Sequence, residues 1–337
     1  MKSKKSEEGL ISILMPVKNA VLFLAETLES IINQSYTNWE LISVDDHSLD
    51  DSSGILNYYA QKDKRIKVFE NRGKGIIDAL QTAESLASGE MVSRMDADDL
   101  LPINRYENQF RLLKQSGHGH LITGKVKYFS SDKKLQQGFL NYANWLNQLS
   151  ENNCHFKEIY KECVIASPSW MMFRNDFKEI GGFSGLVYPE DYDFVFRIYS
   201  HDIKVLAIPE VVLHWRDHPE RASRNLQQYR DVTFFKLKWK RFLELDRARE
   251  KSLVLYGAGP KGKKLAKIIL ADTTDFYWVS GNQNKIDHDI YGKTIKSEVI
   301  MQGLPVAFQL IVAISSPEQL NEAKKHIPNH AEIFYFC

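Results

Sequence analysis

The chain is poor in cysteine, with 3 in 337 residues, at positions 154, 163 and 337. So few, so scattered, they exclude a disulfide framework and a four-ligand zinc site, and they point to a reducing cytosol. Cys337 is the last residue, whereas a prenylation box needs three residues after its cysteine. Long apolar runs are missing too. No stretch reaches the roughly 18–20 residues that a membrane-crossing helix needs. The opening MKSKKSEEGL is polar and charged where a signal peptide would carry an apolar segment. Nor is there an excess of either charge: 44 Lys and Arg against 43 Asp and Glu leave a formal +1. Without a global basic field, no nucleic-acid partner is expected. The expectation is a cytoplasmic protein, with a peripheral position at the inner face of a membrane left open. Internal repeats and low-complexity tracts are likewise absent.

What is present is ordinary for a soluble globular chain, 43% hydrophobic and 26% charged, and long enough for two domains. Ile11–Val17 (ISILMPV), Trp39–Val44, Ile66–Phe69 and Glu90–Met95 are short apolar runs that read as buried strands. Helix-like periodicity fills 20–34, 51–62 and 75–88 between them. Strands alternating with helices predict an α/β fold with a parallel sheet. Ligands of such sheets sit at the carboxyl ends of the strands. That rule puts Pro16–Asn19, Asp45-Asp46 and Asp96–Asp99 on one rim. The stretch 129–165 reads as partly helical and 168–218 as strands and loops.

Asp96-x-Asp98 at a strand end suits a hard divalent cation, which takes oxygen ligands and shares its shell with phosphate. Such a cation would offset the charge that builds on a leaving diphosphate. An acidic turn or helix cap would have the same sequence. Asp45-Asp46 carries the same alternative.

Five stretches in order resemble the family-2 inverting glycosyltransferases of the GT-A fold, of the bacterial polysaccharide-assembly type. They are ISILMPVKNA (11–20), QSYTNWELISVDDHSLD (34–50), GEMVSRMDADD (89–99), GGFSGLVYPEDYDFVFRIY (181–199) and the weaker HWRDHPERAS (214–223). The resemblance implies transfer of a sugar from a nucleotide-sugar donor, preferably a UDP-sugar, to a hydroxyl of a glycan or lipid-linked glycan. Mn²⁺ or Mg²⁺ would assist. Pro16, Val17 and the backbone through Asn19 would cradle the base, Asp46 would bond to it, and Asp45 would be structural. Arg94 would meet donor phosphate or ribose, Asp96 ribose or sugar, and Asp98 the metal, while Asp99 would cap the next helix. Asp191 matches the catalytic base, with Glu190 orienting it or the acceptor; helix capping is the other reading of Asp191. His218 is the candidate further metal or diphosphate ligand, supported by Arg216, with His214 as its rival. Trp170 could stack on a sugar or belong to the core. His47 stands where the family often has glycine after the two aspartates.

Residues 226–248 read as a basic amphipathic helix, either interfacial at a membrane or a linker packed on the first domain. They end a transferase domain at 1–248. A small Rossmann-like domain then spans 249–337, opened by Gly257-Ala-Gly259-x-x-Gly262 after a strand. Its second strand ends in Ser280-Gly281-Asn282, without the acidic residue that would bind a ribose. A structural, oligomerising or regulatory role is therefore preferred to an NAD-type enzyme, and homo-oligomerisation is left open. A sugar-nucleotide-binding scaffold without turnover is the non-enzymatic alternative. It would need no base at Glu190-Asp191.

Overall fold

In the computed structural model, which describes residues 7–130, 135–221, 231–304 and 307–337, the ISILMPV run lies at the heart of a seven-stranded sheet. Residues 1–6 of the polar tail, 226–230 of the amphipathic stretch and 222–223 of the last motif lie outside the described residues. The elements are β1 (Glu7–Val17), α1 (Leu24–Ile32), β2 (Trp39–Asp45), α2 (Ser52–Lys62), β3 (Ile66–Glu70), α3 (Ile76–Leu86) and β4 (Gly89–Arg94). After them come α4 (Arg105–Ser116), β5 (His120–Phe129), α5 (Gln137–Glu151), β6 (Met171–Phe173), α6 (Arg174–Glu179), α7 (Glu190–Ser200) and β7 (Lys204–Arg216). The strands order as β3-β2-β1-β4-β6-β5-β7. All neighbours are parallel except β6, which runs against both β4 and β5.

Burial explains the pattern. Ile11, Ile13, Leu14 and Met15 are all fully buried, and β2 is buried at every residue, as expected for strands covered on both faces. α1 turns Leu24, Thr27, Leu28 and Ile31 inward, the spacing of one helical stripe. Because β1 lies between β2 and β4, with Val17 paired to Asp45 and Leu14 to Arg94, the ends of these three strands share one rim. The antiparallel β6 starts where β4 ends, with Met171 opposite Ser93. The segment leading into β6, including Trp170, is thereby delivered to the same rim. Ser93 Oγ donates to Trp170 O at 2.7 Å and holds it there.

The chain divides into two compact units, Met1–Phe156 with Val164–Arg224, and Lys157–Cys163 with Asn225–Cys337. The helix Asp231–Leu245 thus belongs to the second unit, so the division falls earlier than residue 248. The reason is packing. Phe235, Leu237, Trp239 and Phe242 are buried, and Phe242 meets Tyr160 and Phe334 edge-on. Its aromatic side serves the interior of the second unit, whereas the linker reading puts it on the first domain. No described helix is long and apolar enough to cross a membrane.

The second unit holds a five-stranded parallel sheet, ordered Lys296–Ser297, Tyr277–Ser280, Leu253–Tyr256, Gln309–Val312, Glu332–Tyr335. Two of its three fingerprint glycines are demanded by the chain itself. A Cβ on Gly262 would lie 2.1 Å from Gly257 O, and one on Gly257 would lie 2.7 Å from Ala313 O. A Cβ on Gly259 would meet open space.

Candidate functional site

The rim of the first unit gathers three clusters. At the first, Asp46 follows β2 and is held by Asp46 N donating to Val17 O at 2.8 Å. Its carboxylate is buried and densely served. Oδ1 accepts from Asn71 Nδ2 at 2.6 Å and Gly75 N at 2.8 Å, and Oδ2 accepts from Lys18 Nζ at 2.8 Å. Burial works to raise the carboxyl's pKa, but the hydrogen bonds from Lys18, Gly75 and Asn71 together hold it below the ordinary value. Asp45 is turned into its own loop, where it accepts from Ser48. Pro16 is half-buried and Val17 buried. Asn19 adopts a left-handed backbone (φ 49°), and its Oδ1 accepts from Leu49 N at 2.8 Å, which ties the two loops together. His47 also sits at positive φ (55°), the conformation that makes glycine common at such a turn, and its ring bonds to Gly73 O. Lys18, Asn71 and Gly75 were not among the sequence candidates. Lys18 is adjacent to Val17 in the motif, but no sequence pattern marks Asn71.

The second cluster is the Asp96–Asp99 loop. Thr27 Oγ1 donates to both Ala97 O and Asp99 O, so α1 shapes the loop from below. The end of β7 is fastened to it by paired backbone hydrogen bonds between Leu100 and His214. This brings His218 to Asp98, with Nε2 2.8 Å from Oδ2. His214 supplies backbone there and does not bring its ring to Asp98. Asp99 does not cap the following helix, whose N-cap is Asn104. It is buried and accepts from Arg216 N at 2.8 Å. Burial, with the neighbouring charges of Asp98 and Asp96, raises its pKa well above the usual carboxylate range.

Arg216 departs from the expected donor contact. Its side chain is 2% exposed, bonded to Glu26 Oε2 at 2.6 Å and to Asp98 O at 2.7 Å, and lies over the rings of Phe23 and Phe129. So placed, it positions the backbone that carries Asp98.

A divalent cation fits this cluster. Among the described residues no three His, Cys, Asp or Glu side chains converge on one point. Asp98 Oδ2 and His218 Nε2 nevertheless lie 2.8 Å apart. Adjacent ligands of an octahedral cation with bonds of about 2.1 Å are separated by about 3 Å. Such cations commonly take one or two protein ligands and fill the remainder with phosphate and water.

The third cluster is Glu190-Asp191, in the first turn of α7. Pro189 is the N-cap, so Asp191 does not cap the helix from outside, although its Oδ1 accepts from Tyr192 N at 2.8 Å. The preceding loop is gripped by α3. Phe183 N donates to Glu84 Oε2 at 2.9 Å, and Gln81 Nε2 donates to Phe183 O at 3.0 Å. Gly182 is needed there, since a Cβ would collide with Glu84 at 2.1 Å and its φ is 51°.

Arg94 links the second and third clusters. Its Nε donates to Asp96 Oδ1 at 2.9 Å, and its terminal nitrogens lie 3.5 Å from Glu190 Oε1. Glu190 is 2% exposed, whereas Asp191 is half-buried. Burial and the adjacent Glu190 charge push the Asp191 carboxyl up to about 7, against the opposing pull of Arg94 and the Tyr192 N–H. A carboxylate titrating there is matched to proton transfer near neutral pH. Asp193, two residues on, is fully buried and faces Arg197 instead. Trp170 is 2% exposed and packs with Phe177, Phe183 and Phe194, so its face belongs to the core.

The model of Glycosyl transferase family 2 matches residues 12–181, which include the first cluster and the Asp96–Asp99 loop and stop short of the third cluster and of Arg216 and His218. An uncharacterized glycosyltransferase of Methanocaldococcus jannaschii is 30% identical over 217 residues, spanning 62% of this chain and 71% of that protein. One from Haemophilus influenzae is 28% identical over 241 residues, spanning 68% and 72%. Of a Rickettsia bellii glycosyltransferase, also 28% identical, the match spans 49% of this chain but only 22% of the relative. Among solved structures, residues 1–349 of S. aureus TarS in complex with UDP-GlcNAc superpose with a TM-score of 0.51 at 16% identity, over 77% of this chain and 71% of that one. The mannosyltransferase PcManGT of Pyrobaculum calidifontis, in complex with GDP-Man and Mn²⁺, gives 0.50 at 20% identity, over 78% and 68%. The likeness to both is one of fold, that of the GT-A glycosyltransferases.

Proposed function

The chain belongs to glycosyl transferase family 2, and from that premise we propose that it moves a sugar, with inversion, from a nucleotide-diphosphate donor to a hydroxyl of a surface-glycan acceptor. The observation that carries the reading is Asp191, a half-buried residue whose carboxyl is raised to about 7, on the same rim as Asp96 and Asp98. A binding module would need no such base.

In this reading Pro16, Val17 and Asn19 shape the floor under the nucleotide base, and Asp46 is held in place by Lys18, Asn71 and Gly75 to meet it. Arg94 and Asp96 receive the ribose and sugar. Asp98 and His218 would hold Mn²⁺ or Mg²⁺, which supplies positive charge to the leaving diphosphate. Arg216 keeps the Asp98 loop in register. Asp191 takes the proton of the acceptor hydroxyl as its oxygen bonds to the anomeric carbon. The bond from that carbon to the diphosphate breaks on the opposite side, and its electron pair leaves with the diphosphate. Glu190, tied to Arg94, fixes the base beside the donor half of the site. UDP is the donor nucleotide we favour, and the acceptor is a glycan or lipid-linked glycan. The second unit, whose Gly257 and Gly262 answer to its own packing, is read as structural, oligomerising or regulatory.

The test is a panel of UDP-, GDP-, TDP- and CMP-sugars, scored for metal-dependent hydrolysis and thermal shift. Hydrolysis of one donor class, abolished by chelator, is expected. Binding of a donor with no turnover under any metal would refute the enzyme reading.

A further inference from the structure

The loop before Asp191 is fastened at both ends to one helix and its cap. At its start, Phe183 is gripped by Glu84 and Gln81 of α3. At its end stands Tyr188, half-buried and just ahead of Pro189, the N-cap of α7. Between them Ser184, Gly185 and Val187 are exposed. The Tyr188 hydroxyl lies against Gly75, the N-cap of α3, where an added Cβ would come within 3.3 Å of it.

Gly75 belongs to the first cluster. Its N–H donates to Asp46 Oδ1 at 2.8 Å, and its carbonyl accepts from Asn71 Nδ2 at 3.2 Å. The same Asn71 nitrogen donates to Asp46 Oδ1 at 2.6 Å. A φ of 92° lets the glycine backbone serve both bonds at once. Burial, and after it the charges of Glu190, Asp46 and Asp78, raise the Tyr188 pKa. Those carboxylates therefore keep the hydroxyl protonated, as a hydrogen-bond donor set between the first cluster and the third.

We propose that Tyr188 is a positioning residue that couples the nucleotide-base cluster to Asp191. A base bonded to Asp46 fixes Gly75, Gly75 fixes the Tyr188 hydroxyl, and Tyr188 sets the first turn of α7. The proposal rests on Asp46 meeting the donor and on Asp191 being the base. Arg94 already joins Glu190 to Asp96, at the sugar end of the donor. Tyr188 adds the nucleotide end, so that the base is aligned from both ends of the same molecule. Coupling of this kind is a free energy shared by two sites, and it acts in both directions. It bears on rate because a small displacement of a reacting group is costly.

The experiment is hydrogen–deuterium exchange on the full chain, free and with UDP or GDP and MnCl₂, in wild type and Tyr188→Phe. In wild type, one nucleotide should slow exchange in 71–78 and in 183–192 together. Tyr188→Phe keeps the ring, so its melting temperature should hold. It should keep the protection of 71–78 and lose most of that of 183–192. Transfer kinetics give the second readout: kcat should fall about tenfold or more, with donor KM within about twofold. In an Asp46→Ala background Tyr188→Phe should cost little more, because the link is already cut, whereas a merely structural tyrosine would add its loss in full. Equal protection of 183–192 in both proteins, protection of 71–78 alone in wild type, no protection by either nucleotide, or additive losses in the double variant would overturn the coupling. Wild-type turnover separates the two readings. If donor is turned over while protection of 183–192 ignores Tyr188, only the coupling falls. If no donor is turned over but that protection depends on Tyr188, the coupling stands as a link between bound nucleotide and loop, and the transferase reading falls.

Discussion

Asp191→Asn should exchange activity for stability. The carboxyl titrates at about 7 in the folded chain, against 3.8 for an unperturbed aspartate. Each tenfold change in proton affinity is worth about 1.4 kcal/mol, so the cost of holding this group ionised has a ceiling of about 4 kcal/mol. Because the residue is half-buried and solvent screens part of the cost, about 2 kcal/mol is the working figure. The folded state holds this proton more tightly than the unfolded state. Wild-type stability from this group therefore falls as pH rises from about 4 to about 7, and is level above that. Asparagine keeps the shape and an acceptor for Tyr192 N but carries no such penalty. Its melting advantage over wild type should open across that window and reach a few degrees by pH 8. Transfer should meanwhile fall by roughly 10²–10⁴, about 3–5 kcal/mol in the barrier. Wild-type kcat/KM should drop about tenfold per pH unit below 7. Melting curves from pH 4 to 9, with transfer rates on the same samples, test all of this. Near-normal turnover, or a melting difference that does not vary with pH, would refute the reasoning.

Three further outcomes follow from the geometry. Asp98→Ala and His218→Ala should each weaken Mn²⁺-dependent binding of UDP by calorimetry, and equal binding by wild type and both variants in chelator and in Mn²⁺ would remove the metal assignment. His47→Gly should change stability by less than about 1 kcal/mol, because relief of the positive φ offsets the lost bond to Gly73 O, whereas His47→Val should cost about 1–2 kcal/mol in denaturant melts. A chain ended at residue 248 should melt below the full chain, because Tyr160 loses the stacked ring of Phe336 and Lys238 loses its bond to Phe336 O; unchanged melting of the first transition would show that segment to be self-sufficient.

Much of the first unit was legible in the sequence because its signals are local. Strand and helix periods, and the rule that ligands meet strand ends, depend only on neighbouring residues and a parallel sheet. They put Asp46, Asp96 and Asp98 on one rim before any contact was known. His47 at a turn position favoured by glycine was visible for the same reason, and its positive φ followed. Partnership across long sequence separations was not legible. Asn71 and Gly75 reach Asp46 only because β3 lies beside β2, and nothing in their own neighbourhoods marks them. Arg216 looked like a donor contact until the fold set Glu26, 190 residues away in the chain, against its guanidinium. The helix 226–248 could be read as facing a membrane or protein, since amphipathicity says that a face is buried but not against what. The raised pKa of Asp191 and the place of Tyr188 against Gly75 belong wholly to tertiary structure. Burial and contact are properties of everything folded around a group, and composition and spacing do not encode them.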